Sequence, residues 1–282
     1  MSSMTAAAPP VPTALTRLTH LGVILVTGPQ AREYLQGQVT ADLERFNSDQ
    51  VQVACCNSAQ GRVQAVFWML NRDDGIALVL PASMVESTVA RLRKYVLRAK
   101  VKIEAAAHLQ VGFAPADVTL PATDGVSRFT LPALQDVIVV GAFDAPADAA
   151  REHAWKLAYL RAGLPQVYPE THEAFVAQML NIDLLGGISF EKGCYTGQEI
   201  IARTHFRGAV KRRMFLFRGE DAPPVPGTRV LAGDQHAGDV VDAVDDLVLA
   251  VISLSQVKNE LRLDGARGTL TRLDLPYSVV EE

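Results

Sequence analysis

Apolar and polar positions follow two different periods in the first two thirds of the chain. β-rich apolar runs predict strands at 23–26, 50–55, 62–70, 75–80, 100–104, 109–113 and 137–140. Apolar residues recur at helical spacing between 82 and 98, which predicts one amphipathic helix with a solvated face at Arg91, Lys94 and Arg98. A second helix is predicted over 147–162, and Gly163 ends it. Strands and helices mixed in this way are typical of an α+β fold.

The pattern changes to strands alone beyond Lys211. Short β-rich runs occur at 213–218, 229–231, 238–244, 247–253, 260–263 and 268–273, with turn residues between them. Several short strands at this spacing predict a small barrel or sandwich. The change of period predicts a domain boundary near 206–211.

Composition narrows the class of protein. The chain has 282 residues, enough for about two domains, and it is 49% hydrophobic and 21% charged, as soluble globular proteins are. Its net charge of -4 argues against a nucleic-acid binder that works by electrostatics. Residues 1–12 are rich in Ala, Pro and Ser and carry no Lys or Arg, so they do not resemble a secretory signal. We expect a cytoplasmic protein that binds no membrane, with a disordered segment at 1–14.

The three cysteines are too few for a disulfide framework. Cys55 and Cys56 are adjacent on a β-rich run, and we interpret both as core residues. No CxxC or HxxxH spacing occurs in the sequence, so we predict no metal site.

The most distinctive stretch is 192–199, which reads KGCYTGQE. Cys194 lies between two glycines, with Lys192 behind it and a helix-like run at 198–204 ahead. A thiol near a helix start and a lysine is biased toward the reactive thiolate. The alternative is a buried cysteine in a tight turn between a strand and a helix. The residues alone leave both interpretations open.

Polar and basic residues follow the cysteine. Gln198 and Glu199 can contact a ligand through their amide and carboxylate groups, or Glu199 can simply charge the first turn of its helix. A dense basic run comes next, at Arg203, His205, Arg207, Lys211, Arg212 and Arg213. This run suits an anionic ligand, although we interpret Arg212 and Arg213 as part of a solvated positive face.

The stretch 192–199 resembles the signature of the YgfZ family, folate-binding proteins related to the T-protein of the glycine cleavage system. The similarity continues through 199–203 and 207–208. Upstream it takes in Gln178, Asn181 and 185–190. Weaker matches lie at 34–42, 56–62 and 275–278, so the resemblance covers nearly the whole chain after its N-terminus.

The resemblance implies a fold and a ligand site. The fold is a three-lobed ring, with two intertwined α+β lobes formed by the folate-binding region 15–207 and an antiparallel β-barrel formed by 208–282. The implied cofactor is tetrahydrofolate or a related reduced folate, held near the central opening. Cys194 is the implied functional thiol. The implied folate-binding residues are Trp155, Gln178, Asn181, Lys192, Gly193, Tyr195, Gly197, Gln198, Glu199 and Arg203.

The sequence departs from the related proteins at three places. A second tryptophan of the bacterial members falls at about Leu21 here, and Arg161 stands where T-proteins carry a glutamate that grips the pterin. T-proteins also use an aspartate that aligns with Ala65 or Val66 in this chain. Aminomethyl transfer needs such a carboxylate to handle protons and stabilise a cationic amine, so we do not expect that activity.

The resemblance implies an accessory protein that binds tetrahydrofolate and supports the assembly or repair of iron–sulfur enzymes, including those that modify tRNA. Two alternatives remain: a folate-dependent one-carbon transferase or demethylase, and a redox or sulfur-handling protein that uses the Cys194 thiol. The expected partners are folate and iron–sulfur enzymes or their assembly proteins. We expect a monomer with no direct contact to nucleic acid.

Overall fold

A computed structural model describes residues 15–46, 49–120 and 123–280, so the predicted disordered segment 1–14 lies outside the described residues. The strands are β1 Thr16–Arg17, β2 Leu21–Thr27, β3 Gln52–Asn57, β4 Val63–Arg72, β5 Gly75–Pro81, β6 Lys102–Ala105, β7 Gln110–Pro115, β8 Ser127–Leu131, β9 Asp136–Gly141, β10 Arg212–Gly219, β11 Arg229–Ala232, β12 Gln235–Val244, β13 Leu247–Ser253, β14 Leu261–Leu263 and β15 Leu270–Leu273. The helices are α1 Ala31–Gln36, α2 Val85–Lys94, α3 Ala149–Arg161 and α4 Gln198–Arg207. Short 3-10 turns occur at Ala82–Met84, Pro169–Thr171 and Ala177–Leu180.

Three antiparallel sheets form the three lobes. The first lobe has the strand order β3-β4-β5-β2-β6, and the second has the order β1-β7-β9-β8. Strands β3 and β4, both predicted from the sequence, pair as an antiparallel hairpin. The sequence did not predict β8, which pairs with β9.

The helix predicted over 82–98 is shorter in the structure. A 3-10 turn precedes α2, which ends at Lys94. At this end the Tyr34 hydroxyl donates to the Leu92 carbonyl over 2.5 Å, and the Tyr95 amide bonds to the same carbonyl, three residues back. These bonds use the carbonyl that a continuing α-helix needs for the amide at position 96.

The third lobe is a barrel with the strand order β14-β11-β12-β13-β10-β15. An antiparallel bridge between Arg262 and Thr269 joins its two outermost strands and closes it. Because α4 ends at Arg207 and β10 begins at Arg212, we propose the domain division at 207/208.

Side chains along the barrel strands alternate between two cores. On β10, Phe215 and Phe217 point into the barrel, whereas Met214 and Leu216 join the large core shared with the other two lobes. Strand β13 alternates in the same way. This two-residue period lets one sheet fill its own interior and also pack against the rest of the molecule. No helix within the described ranges has the length and apolar character to cross a bilayer.

Arg213 corrects the prediction of a solvated face, because its side chain is buried. Its guanidinium forms a two-pronged ion pair with Asp183, at 2.7 and 2.9 Å, and donates to the Gln178 carbonyl over 2.8 Å. The neighbouring Arg212 is more exposed, and it meets Asp239 only at 3.9 Å. Arg213 therefore connects the first barrel strand, β10, to the segment 178–183, which precedes the stretch 192–199.

We predict that Arg213→Ala lowers the free energy of unfolding by about 3–5 kcal/mol, because it leaves the Asp183 carboxylate largely buried and without its partner. Urea denaturation measures this change. The matched control is Arg212→Ala, for which we expect a loss below about 1 kcal/mol, as for other exposed ion pairs. Equal losses for the two variants would contradict this account.

Candidate functional site

The cysteine loop, residues 191–197, lies against the turn of the β3–β4 hairpin. Gly61 and Gly197 both have positive φ angles, +71° and +81°. A Cβ atom on Gly197 would lie 2.6 Å from the Ser58 carbonyl oxygen and 3.1 Å from the Gly61 Cα atom. The Thr196 amide also donates to the Gly37 carbonyl over 3.2 Å. Glycine is required at 197 because the two backbones touch there and the φ angle is left-handed.

Lys192 is buried beneath this loop. Its Nζ atom donates to the carbonyls of Val39 and Ala41, at 2.9 and 2.7 Å, and lies 5.1 Å from the centre of the Tyr195 ring. Burial lowers the pKa of Lys192 to about 8, against the opposing charge of Asp42 and Glu44. The ammonium group therefore ties the loop to the segment 39–41.

Arg91 of α2 binds Gln38, the residue just before this segment. Its guanidinium donates to the side chains of Gln38 and Gln64 and to the Asn57 carbonyl, at 2.8, 3.0 and 2.9 Å. The prediction that Arg91 belongs to a solvated helix face is therefore wrong. The helical spacing placed Arg91 opposite the apolar stripe, but another part of the chain covers that position.

The three cysteines lie in different environments. Cys194 is exposed, whereas Cys55 and Cys56 are fully buried, which confirms both as core residues. Burial raises the pKa of Cys55 to about 12, and it also raises the pKa of Cys56. Cys194 is thus the accessible thiol of the three.

Gln178 and Asn181 link the lobes from a buried 3-10 turn. The Gln178 amide donates to the Ile201 carbonyl over 2.7 Å, and the Asn181 amide donates to the Met214 carbonyl over 2.8 Å. The acceptor oxygens Gln178 Oε1 and Asn181 Oδ1 have no hydrogen-bond partner among the described residues. These two predicted ligand residues hold helix α4 and strand β10 in place.

Other predicted ligand residues lie near the start of α4. Gln198 is partly buried, and its Oε1 accepts from the Tyr195 amide over 3.3 Å. Gly193, Glu199 and Arg203 are exposed. Further along α4, His205 stacks on Phe190 with ring centres 3.8 Å apart, beside the exposed ring of Phe206. These three rings border an open cleft of about 570 Å³.

Trp155 lies in a different place, on α3. It is 4% exposed and stacks on Tyr159 with ring centres 5.1 Å apart, while Trp68 meets it edge-on at 5.8 Å. It lines a small cavity of about 110 Å³ between α3 and strand β12 of the barrel. The lining of this cavity contains no residue of the cysteine loop and neither Gln178 nor Asn181. The structure therefore places the predicted ligand residues in two groups.

The cavity at Trp155 has a polar wall that the sequence did not reveal. The Tyr168 hydroxyl donates to Asp242 over 2.8 Å, and the Gln166 amide donates to the Tyr159 hydroxyl over 2.8 Å. Burial raises the pKa of Asp242 to about 6. The Gln166 side chain is buried, and its Oε1 atom has no partner among the described residues.

The sequence contains one signal for the polar side of this cavity, at Asp242. Asp242 is the only carboxylate in the apolar run 240–244, where strand β12 forms a bulge against β13. Bulges re-aim side chains and occur often beside ligand sites. Tyr168 lies 74 positions away, so local patterns do not pair it with Asp242.

The described ranges contain no group of three or more His, Cys, Asp or Glu side chains arranged to hold a metal ion. What the cavity offers is a set of hydrogen-bond acceptors between aromatic rings. Such a wall suits a flat ligand that carries N–H groups.

The arrangement of the three lobes defines the class. It is similar to the crystal structure of glycine cleavage system aminomethyltransferase T from Bartonella henselae, with a TM-score of 0.70 over 93% of this chain and 85% of that chain, at 15% identity. Residues 211–275 match the family described as CAF17, C-terminal beta-barrel domain. The chain therefore has the aminomethyltransferase T fold, a three-lobed ring with a C-terminal antiparallel barrel.

Relatives identify the particular family. The chain is 30% identical to tRNA-modifying protein YgfZ of Yersinia pseudotuberculosis, over 98% of each chain. It is 29% identical to tRNA-modifying protein YgfZ of Aliivibrio fischeri, over 97% of this chain and 95% of that protein. This chain belongs to the YgfZ family, which confirms the resemblance drawn from the motif.

We predict that Gly197→Ala destabilises the protein by about 2–4 kcal/mol, because the methyl group meets backbone atoms and the φ angle disfavours alanine. Thermal or urea unfolding measures the change. The matched control is Gly193→Ala in the same loop, where a Cβ atom meets nothing within 4 Å and we expect a change within about 0.5 kcal/mol. Comparable losses for both variants would show that the hairpin contact is not the cause.

We predict that iodoacetamide labels Cys194 in the native protein while Cys55 and Cys56 stay protected. The two buried thiols are closed to the reagent, and their raised pKa values keep them protonated. Mass spectrometry of each cysteine peptide follows the rates, and labelling in urea serves as the control that all three thiols react once exposed. Slow labelling of Cys194 relative to the other two would refute this assignment.

Proposed function

We propose that this protein is an accessory protein that binds tetrahydrofolate and supports the assembly or repair of iron–sulfur enzymes, including enzymes that modify tRNA. The YgfZ relatives are named as tRNA-modifying proteins, and the fold is that of an aminomethyltransferase T. We also propose a cytoplasmic monomer that contacts iron–sulfur enzymes or their assembly proteins and binds neither nucleic acid nor a membrane directly.

The cavity at Trp155 is the observation that carries the folate part of the proposal. A pterin ring is flat and presents N–H donors along one edge. The cavity is lined by the aromatic rings of Trp155 and Tyr159, and it offers Gln166 Oε1 and the Asp242 carboxylate as acceptors. A buried acceptor without a partner costs stability unless a donor reaches it, so the residues present fit a pterin.

The rest of the folate needs a path out of this cavity. Its volume of about 110 Å³ is far below the roughly 300–1,000 Å³ typical of sites that hold a whole drug-sized ligand. We therefore assign the cavity to the head group alone. The predicted contacts at Gln178, Asn181 and the motif residues Lys192, Gly193, Tyr195, Gly197, Gln198, Glu199 and Arg203 stay proposals for the remainder.

The first alternative is a folate-dependent one-carbon transferase or demethylase. Ala65 and Val66, which align with the aspartate of T-proteins, are both buried apolar residues of β4. Asp73 follows on the exposed β4–β5 turn. We therefore propose that aminomethyl transfer is absent, and any turnover would need a different base.

The second alternative is a redox or sulfur-handling protein. The exposed thiol of Cys194 favours it, since a reactive thiol must be accessible. The thiol and the cavity are separate features, so this role is compatible with folate binding. An activity that survives loss of folate binding but disappears in Cys194→Ser would favour this alternative.

We predict that tetrahydrofolate changes the tryptophan fluorescence of the wild-type protein and raises its melting temperature. Trp155→Phe should lose most of the fluorescence change, because the remaining Trp68 does not line the cavity. Asp242→Asn should weaken binding about 10- to 100-fold, the value of a hydrogen bond to a charged group.

The matched control for Asp242→Asn is Asp246→Asn. This change removes the same charge from an exposed residue nearby that pairs with Arg218 over 2.8 Å. We expect unchanged affinity for the control. Absence of any fluorescence or melting change in the wild-type protein, at tetrahydrofolate concentrations far above micromolar, would refute the folate proposal.

A further inference from the structure

A carboxylate–imidazole pair stands at the edge of the cavity beside Trp155. Glu152 of α3 is buried, and its Oε1 atom lies 2.5 Å from Nδ1 of His20. The same carboxylate accepts from the amide and hydroxyl of Thr19, both at 2.9 Å, and from the His20 amide at 3.2 Å. The carboxylate is therefore fixed, and it orients the imidazole.

The hydrogen bonds of this pair determine what the other ring nitrogen can do. A neutral imidazole has one donor and one acceptor nitrogen, and Nδ1 faces a carboxylate, which only accepts. Nε2 is then the acceptor, and no described residue donates to it. Burial lowers the pKa of His20, and this effect is larger than the opposing effect of the hydrogen bond to Glu152. The ring is therefore neutral at neutral pH.

Glu152 stays ionised beside it. Burial works to raise the pKa of this carboxyl, but the hydrogen bonds from His20 and Thr19 outweigh burial and hold the pKa below its ordinary value. An ionised carboxylate on Nδ1 makes Nε2 a stronger acceptor, as in the carboxylate–histidine pairs that orient other sites.

His20 faces the cavity together with the groups described above. Its ring lies 6.0 Å from that of Trp155, and both rings line the cavity. Asp242 lines the same space from strand β12 of the barrel, paired with Tyr168, and Lys156 lines it from α3. The buried Gln166 Oε1, which has no partner among the described residues, also belongs to this lining and independently calls for a donor.

We propose that His20 is a ligand-contacting residue of this cavity, which accepts through Nε2 a hydrogen bond from an N–H group of a pterin-type heterocycle, and that Glu152 is its positioning residue. This inference rests on the proposed folate function and names a specificity contact for the same site. It assigns the pair a role in selecting ligands that carry an N–H donor at this edge. A heterocycle with a ring nitrogen acceptor there places two lone pairs against each other and is rejected.

The contact is sensitive to pH because a protonated imidazole donates from both nitrogens. Glu152 and Lys156 on α3 act on the His20 ring, and Tyr168 and Asp242 are the other titratable groups that line the cavity. Lys156 opposes protonation of His20, and Glu152 favours it. Affinity for the ligand should therefore fall as the pH is lowered below the ordinary range of histidine.

The test is isothermal calorimetry with tetrahydrofolate, and with a tetrahydropterin that lacks the glutamyl tail, between pH 5.5 and 8. His20→Phe keeps the ring against Trp155 and removes Nε2, so we expect a loss of affinity of about 5- to 100-fold at pH 8 for both ligands. Glu152→Gln should keep the fold and weaken the affinity less. Asp242 also titrates in this range, so the pH profile is compared in its absence. The acid-dependent fall in affinity should persist in Asp242→Asn and disappear in the double variant Asp242→Asn with His20→Phe.

The controls separate this inference from the proposed function. His153→Phe alters an exposed histidine of the same helix that pairs with Asp245, and it should bind as the wild type does. If the wild type binds but His20→Phe matches its affinity and pH profile, the role of His20 is refuted and folate binding stands. If the wild type binds neither ligand, both are refuted. Should His20→Phe fail to fold, His20→Asn retains a donor for Glu152 and gives the same decision.

Discussion

Two cationic side chains hold the segment 38–41, and the architecture around the signature motif depends on them. Lys192 binds the carbonyls of Val39 and Ala41 from beneath the cysteine loop, and Arg91 joins Gln38 to the Asn57 carbonyl at the hairpin. Backbone carbonyls without partners inside a protein are costly, and here charged donors satisfy them. The hairpin, the segment and the loop are thereby joined into one unit on which helix α4 begins.

The contacts among the hairpin, the segment 38–41 and the cysteine loop explain why most residues of the motif 192–199 stabilise the fold. Lys192 and Tyr195 are buried, Gly197 permits a backbone contact, and Gln198 accepts a hydrogen bond from within the loop. The side chains that the motif presents to solvent are those of Cys194 in the loop and Glu199 in the first turn of α4. The stretch 192–199 therefore combines buried residues that stabilise the fold with one exposed thiol.

Local patterns were sufficient for most of the fold. Runs of β-branched residues located the strands of all three sheets except the short β1 and β8, and the loss of helical spacing after α4 located the barrel. The same patterns were insufficient for the half-buried Arg91 and the buried Arg213, because a distant segment of the chain determines whether such a polar residue is covered. The cavity wall was hidden for the same reason: Tyr168 and Asp242 meet across 74 positions, and His20 and Glu152 across 132. Only the signature motif, read as a resemblance, supplied the family.

The cavity at Trp155 is built from two lobes, with α3 on one side and strand β12 of the barrel on the other. Any molecule that fills it touches both, so its binding free energy adds to the free energy that holds the barrel against the ring. A ligand bound in the cavity would then make separation of the barrel from the other two lobes less frequent. A partner protein that binds the barrel would then have a different affinity for the ligand-bound and the ligand-free protein, without contacting the ligand. Because such coupling is reciprocal, binding of the partner would change the affinity for the ligand by the same factor.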